Sequence, residues 1–150
     1  MNEISKTGRG CPTAPWPTPL SYWRTFRAEE FDKELVDHVK DCVSSISSTI
    51  PEWRSAVKGD AAAAIGIVLP CRPPERFGIK VDLPMTTLLN VAFGNPAAAL
   101  VLSHKLRQMP MDRSYRARLA TSWLVHSLWL GHRGRSPRPT RPIPPEGDET

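Results

Sequence analysis

The stretch Leu83–Ser103 contains no charged residue. A run of this kind has to be hidden from water, in a protein core or in a bilayer. Thr86, Thr87, Asn90 and the Gly94-Asn95-Pro96 turn break it into pieces too short and too polar for a span, which takes about 20 apolar residues. The expectation is therefore a buried helical core, with no membrane partner. It extends through Gly131, so that Leu83–Gly131 organises the rest of the chain.

Two helix starts are legible inside this block. Asn95-Pro96 pairs a favoured N-cap with a favoured first helical residue. The helix it opens should run to about Gln108, before Met109-Pro110. Its first two turns (Ala97 to Leu102) are apolar on every side, which predicts burial. Asp112 caps a second helix, Arg113 to Leu130, with Gly131 as its stop. Tyr115, Leu119, Trp123, His126 and Leu130 share one face of it, at about 100° per residue. Its second half is apolar on most sides, and is expected at the centre of the core. Met85–Phe93 should form a shorter helix closed by Gly94. A DNA-reading helix-turn-helix is a poor fit, because the positions that would reach base edges are alanines.

Upstream, Arg27–Ile46 has the pattern of one amphipathic helix. Phe31, Leu35, Val36, Val39, Cys42, Val43 and Ile46 fall on an arc of roughly 140°. Glu30, Glu34, Asp37 and Asp41 form an acidic stripe beside it. Glu34, His38 and Asp41, with Cys42 adjacent, resemble a ligand set. Helical metal sites recruit matching ligands from a second helix, and none is present. The stripe is read as a solvated face or a contact for basic groups, and no metal is expected. Thr49-Ile50-Pro51-Glu52 resembles a capping box ahead of a short helix, Pro51–Lys58, ended by Gly59.

Two segments suggest β-structure. Ile65, Ile67 and Leu69 alternate like a strand, although Ala61–Ala64 favours helix. Phe77, Ile79, Val81 and Leu83 alternate strictly with Gly78, Lys80 and Asp82, the pattern of a half-buried strand. The expected fold is a predominantly α-helical single domain, with room for one small β-hairpin over about 65–83 (an α+β variant).

The ends differ in composition from this block. Prolines 12, 15, 17 and 19 forbid regular helix near the N-terminus, and Trp16, Tyr22 and Trp23 lie among them or just after. The division expected is a flexible Pro-rich arm (1–15), a helical domain (16–131) and a disordered, basic, Pro-rich tail (132–150). The part of the arm near Trp16–Phe26 should lie against the domain. The N-terminus lacks a secretory h-region, so the expected location is cytoplasmic. Cys11, Cys42 and Cys71 are odd in number and widely spaced, which argues against a disulfide framework or a zinc ribbon.

The formal net charge is +5. Its excess lies after residue 100, where nine basic residues face four acidic ones. No P-loop, dinucleotide fingerprint, zincin motif or nucleophile elbow occurs. The histidines (His38, His104, His126, His132) are scattered. No catalytic residue and no cofactor are assigned. His126, on the apolar face of its helix, is read as a satisfied core or interface histidine.

Two functions fit this pattern. The leading one is a small non-enzymatic interaction or regulatory protein that docks on a protein partner. Its candidate contacts are Trp16, Trp23, Glu30, Glu34, Asp37 and Asp41, with tryptophans as anchors. The alternative is sequence-independent nucleic-acid binding through Arg113, Arg116, Arg118, Arg133, Arg135, Arg138 and Arg141, which could track phosphates. A Trp- and Leu-rich final helix is also compatible with a homo-oligomer.

Overall fold

Asp32 begins the first long helix. Its carboxylate accepts the Leu35 N–H at 2.9 Å, satisfying one of the free donors at the helix start. In the computed structural model, which describes residues 18–134, this helix is α1, Lys33–Ser44. It is followed by α2 (Trp53–Val57), α3 (Ala61–Val68), α4 (Ile79–Ala92), α5 (Pro96–Leu106) and α6 (Arg113–Gly134). Two 3₁₀ turns precede α1, Pro19–Arg24 and Ala28–Glu30. No strand occurs among the described residues.

The amphipathic segment expected from Arg27 to Ile46 is thus divided. Glu30 accepts the Arg27 N–H at 2.8 Å, and the backbone then extends through Phe31 and Asp32 before α1 starts. The break frees Phe31 to pack edge-on against Tyr22, Phe26 and Phe93, with ring centroids 4.9–6.3 Å apart. A continuous helix would have held it in the α1 register.

The β-hairpin expected over about 65–83 does not form. Asp60 accepts the Ala63 N–H at 3.2 Å and commits Ala61–Val68 to helix. The Phe77–Leu83 alternation is helical from Ile79 onward, with the Asp82 N–H donating to the Gly78 carbonyl at 2.8 Å. The supposed polar face does not meet water as a unit: Lys80 is exposed, but Asp82 is buried against Trp23 and Arg24. Helix α4 therefore starts earlier than Met85 and carries Pro84 inside it. That proline leaves the Lys80 carbonyl without its intrahelical donor.

The cap before α2 also differs from expectation. No side chain caps this helix, and Glu52 holds a left-handed backbone with φ 69°. Gly59 ends the turn after α2 at φ 104°, a conformation suited to glycine.

Helix α4 is the hub. It packs against α1, α2, α3, α5 and the first 3₁₀ turn. Leu88 and Leu89 on α4, Leu102 and Leu106 on α5, and Trp23, Val39 and Trp123 are fully buried together. Helix α6 sits at the edge, packed chiefly on α5 and the second 3₁₀ turn. Hydroxyls pin this pairing: Ser103 donates to the Ala120 carbonyl at 2.6 Å, and Ser127 to the Pro96 carbonyl at 2.8 Å.

This edge position corrects the expectation that the second half of α6 lies at the centre of the core. Only one side of it is covered. The start of α5 is likewise covered on one side: Ala98, Ala99 and Leu102 are buried, while Leu100 is 51% exposed. Helix α6 also runs through Gly131 to Gly134, so His132 and Arg133 are helical rather than part of a tail. The Arg133 guanidinium lies 5.1 Å from the Trp129 ring, and a cation suits the negative end of the helix dipole.

Candidate functional site

Helix α6 turns one coherent stripe outward. At about 100° per residue, Arg118, Thr121, Val125, Leu128, Trp129, His132 and Arg133 fall within an arc of about 140°. Leu119, Ala120, Trp123 and Ser127 occupy the opposite side and are buried. The middle of the stripe is apolar and open to solvent: Val125 is 58%, Leu128 66% and Trp129 51% exposed. Arginines mark both ends.

Beside this stripe runs a groove of about 640 Å³ between α6 and the second 3₁₀ turn. Its walls include Arg27, Arg118, Val125, His126 and Trp129. Arg27 is already paired, 3.4 Å from both Glu29 and Glu30. The described ion pairs involve Arg24, Arg27 and Lys33, and leave Arg118 with no carboxylate. His126 Nε2 lies 3.1 Å from the Phe93 carbonyl, and its ring contacts Trp123 and Trp129. The bond satisfies this histidine, which the sequence placed in the core or at an interface, and the ring is half-buried beside Trp129.

The groove adjoins a half-buried polar anchor. The Tyr115 hydroxyl donates to the Arg24 and Thr25 carbonyls at 3.0 and 2.8 Å. Burial, reinforced by Glu30, pushes its pKa up, against the opposing pull of Arg24 and Arg118. Burial likewise raises Tyr22, assisted by Glu34 and Cys42, and raises the Cys42 thiol.

The sequence-derived partner contacts are placed differently. Trp16 lies outside the described residues. Trp23 is fully buried and its indole N–H donates to Asp82 at 2.9 Å, so it offers no surface to a partner in this conformation. The chain from Thr18 to Phe26 does lie against the domain, because this indole and the Thr86 hydroxyl bond, to the Leu20 carbonyl at 3.2 Å, fasten it. The acidic stripe divides with the helix: Glu30 belongs to the second 3₁₀ turn, while Glu34, Asp37 and Asp41 stay exposed on α1. Asp37 lies 3.6 Å from Lys33. Among the described residues, no group of three or more His, Cys, Asp or Glu side chains converges to hold a metal.

The arginines of the alternative reading do not share one face. Arg113, Arg116 and Arg118 are splayed by about 60–160° around α6. Arg116 donates to the Met109 carbonyl at 3.0 Å, a bond that closes the α5–α6 turn. Arg118 and Arg133 are exposed. Arg135, Arg138 and Arg141 lie outside the described residues.

Val125, Leu128 and Trp129 were not among the sequence-derived contacts. The signal was present as an apolar second half of α6 with more faces than one neighbouring helix can cover. Compared with known proteins, the chain matches no protein-family model, no curated protein and no solved structure. Among the described residues, no helix is long and apolar enough to cross a membrane.

Proposed function

We propose that this chain is a non-enzymatic interaction protein that docks on a partner protein through the outward stripe of α6. The observation that carries the reading is the exposure of Val125, Leu128 and Trp129 on successive turns of one helix. Contiguous exposed apolar side chains rimmed by charge are the mark of a contact surface.

Charge narrows the partner. An apolar stripe flanked by Arg118 and Arg133 suits an amphipathic helix with carboxylates near both ends. Magnitudes support the need for those ends. Completing the burial of three half-exposed apolar side chains yields about 3–5 kcal/mol in all. A micromolar complex needs about 8 kcal/mol. The partner's own apolar burial and contacts around the groove would have to supply most of the difference, with the exposed arginine pairs adding about 0–1 kcal/mol each. Action in the cytoplasm, as a regulatory subunit or adaptor, belongs to the same proposal.

The test is co-purification of the tagged full chain from its host, beside a Val125→Glu/Leu128→Glu variant. A stoichiometric protein lost in the variant, whose helical circular dichroism and melting are unchanged, supports the reading. Retention of the partner by the variant removes α6 as the docking surface. Recovery of nuclease-sensitive material that both chains bind would favour the nucleic-acid alternative.

A further inference from the structure

A separate space among the described residues lies away from α6. It is a cavity of about 260 Å³ between the end of α3, the loop over residues 69–78, the start of α4 and the end of α5. It shares no lining residue with the α6 groove. Val81, Met85 and Met109 form apolar walls, and Arg72, Lys80 and Lys105 bring three cations to it. No acidic residue lines it.

Lys105 is the unusual member. It is only 6% exposed, which is rare for a lysine without an anion beside it. Its ammonium donates to the Cys71 carbonyl at 2.9 Å and to the Leu69 carbonyl at 3.3 Å. An ammonium carries three N–H donors, so two carbonyls leave one unused. Arg72 and Lys80 are exposed at the mouth, and neither takes part in a described ion pair. A buried cation is stabilised by a paired anion, and Lys105 lines a cavity that has no acidic residue in its wall.

We infer that the cavity is a binding site for a small carboxylate with a short apolar tail. The head group would take the free N–H of Lys105 and the charges of Arg72 and Lys80. The tail would lie along Val81, Met85 and Met109. A cavity of about 260 Å³ has room for a short-chain carboxylate such as hexanoate. Inorganic anions would leave the apolar walls unfilled, and neutral alcohols would leave the cations unpaired.

The experiment is a titration of the full chain, labelled at its methionine methyls, with hexanoate and in parallel with 1-hexanol. Hexanoate should shift the Met85 and Met109 methyl signals saturably, with a midpoint on the order of 1 mM. Met111, which does not line the cavity, should report no change. Hexanol should give no saturable shift over the same range. Arg72→Glu and Lys80→Glu change exposed residues and leave the core intact, and each should weaken hexanoate by about tenfold. Absence of a saturable hexanoate shift overturns the inference. So does hexanol binding equally well, or both charge-reversed variants binding hexanoate as the original chain does.

Discussion

The Trp23 indole donates a 2.9 Å hydrogen bond to the Asp82 carboxylate, joining the N-terminal 3₁₀ turn to the first turn of α4. Arg24 meets the same carboxylate with two further bonds at 3.0 and 3.1 Å. One acid thus holds two neighbouring side chains from a segment nearly sixty positions away. The guanidinium also lies 4.5 Å from the Phe77 ring, and the Trp23 and Phe77 rings meet edge to face at 5.8 Å. This cluster decides how the N-terminal segment is attached.

Asp82→Ala should therefore destabilise the fold by about 2–4 kcal/mol, since it strands a buried indole donor and a half-buried guanidinium. Asp82→Asn keeps an acceptor for Trp23 and loses the charge for Arg24, so its cost should be smaller. Urea unfolding followed by circular dichroism checks both. Equal stability of Asp82→Ala and the original chain would count against the cluster as an anchor.

Tyr115 carries a pH dependence whose direction follows from its bonds. Its hydroxyl donates to two carbonyls, which only the protonated phenol can do. Its folded pKa is raised, and so is that of Tyr22. The stability they contribute is fully present below the unfolded tyrosine pKa of about 10 and is lost as pH rises through the folded values. Alkaline titration by circular dichroism should show unfolding that begins above about pH 10. Tyr115→Phe should cost about 1 kcal/mol at neutral pH and make the remaining alkaline loss shallower.

Two glycines should respond to alanine with opposite signs. Gly66 lies inside α3, and an added Cβ there meets nothing within 4 Å. Gly66→Ala should stabilise by about 0.5–1 kcal/mol through helix propensity. Gly59 also has open space, but its φ of 104° strains any L side chain. Gly59→Ala should destabilise by about 1 kcal/mol or more. Thermal melting of the two variants side by side separates space from backbone conformation. By the same logic Glu52→Gly, at φ 69°, should stabilise the chain slightly.

The charged and apolar parts of the α6 stripe should separate by salt. Arg118→Ala and Arg133→Ala should weaken partner binding and flatten its salt dependence, because exposed charges are screened within about 8–10 Å at physiological ionic strength. Leu128→Ala should weaken binding while leaving the salt slope as it was. Equilibrium binding of the purified partner across a salt series measures both.

Much of the helical order was legible because its signals are local. Asn95 and Asp112 cap their helices as their positions suggest: Asn95 accepts the Ala98 N–H at 3.0 Å, and Asp112 accepts from Ser114 and Tyr115 at 3.1 and 3.2 Å. The start of α4 was not legible. Over Phe77–Leu83 a strict alternation imitates a strand, and what overrides it is Asp82 turning inward to partners distant in sequence. Tertiary pairing of that kind leaves no local trace. The outward stripe of α6 was misread for a related reason. Apolar residues on several sides of a helix say that it should be covered, without saying whether its own chain covers it. The cation-lined cavity is still less visible, since Arg72, Lys80 and Lys105 converge only once α3, α4 and α5 are packed.

The most direct measurement is site-specific photocrosslinking in the native host, with a crosslinker at Leu128 and, in a separate chain, at Asp37 on the exposed acidic face of α1. Docking through α6 should give one predominant adduct with a different protein from position 128, and little or none from position 37. Adducts concentrated at position 37, or adducts at 128 formed only with a second copy of this chain, would contradict it.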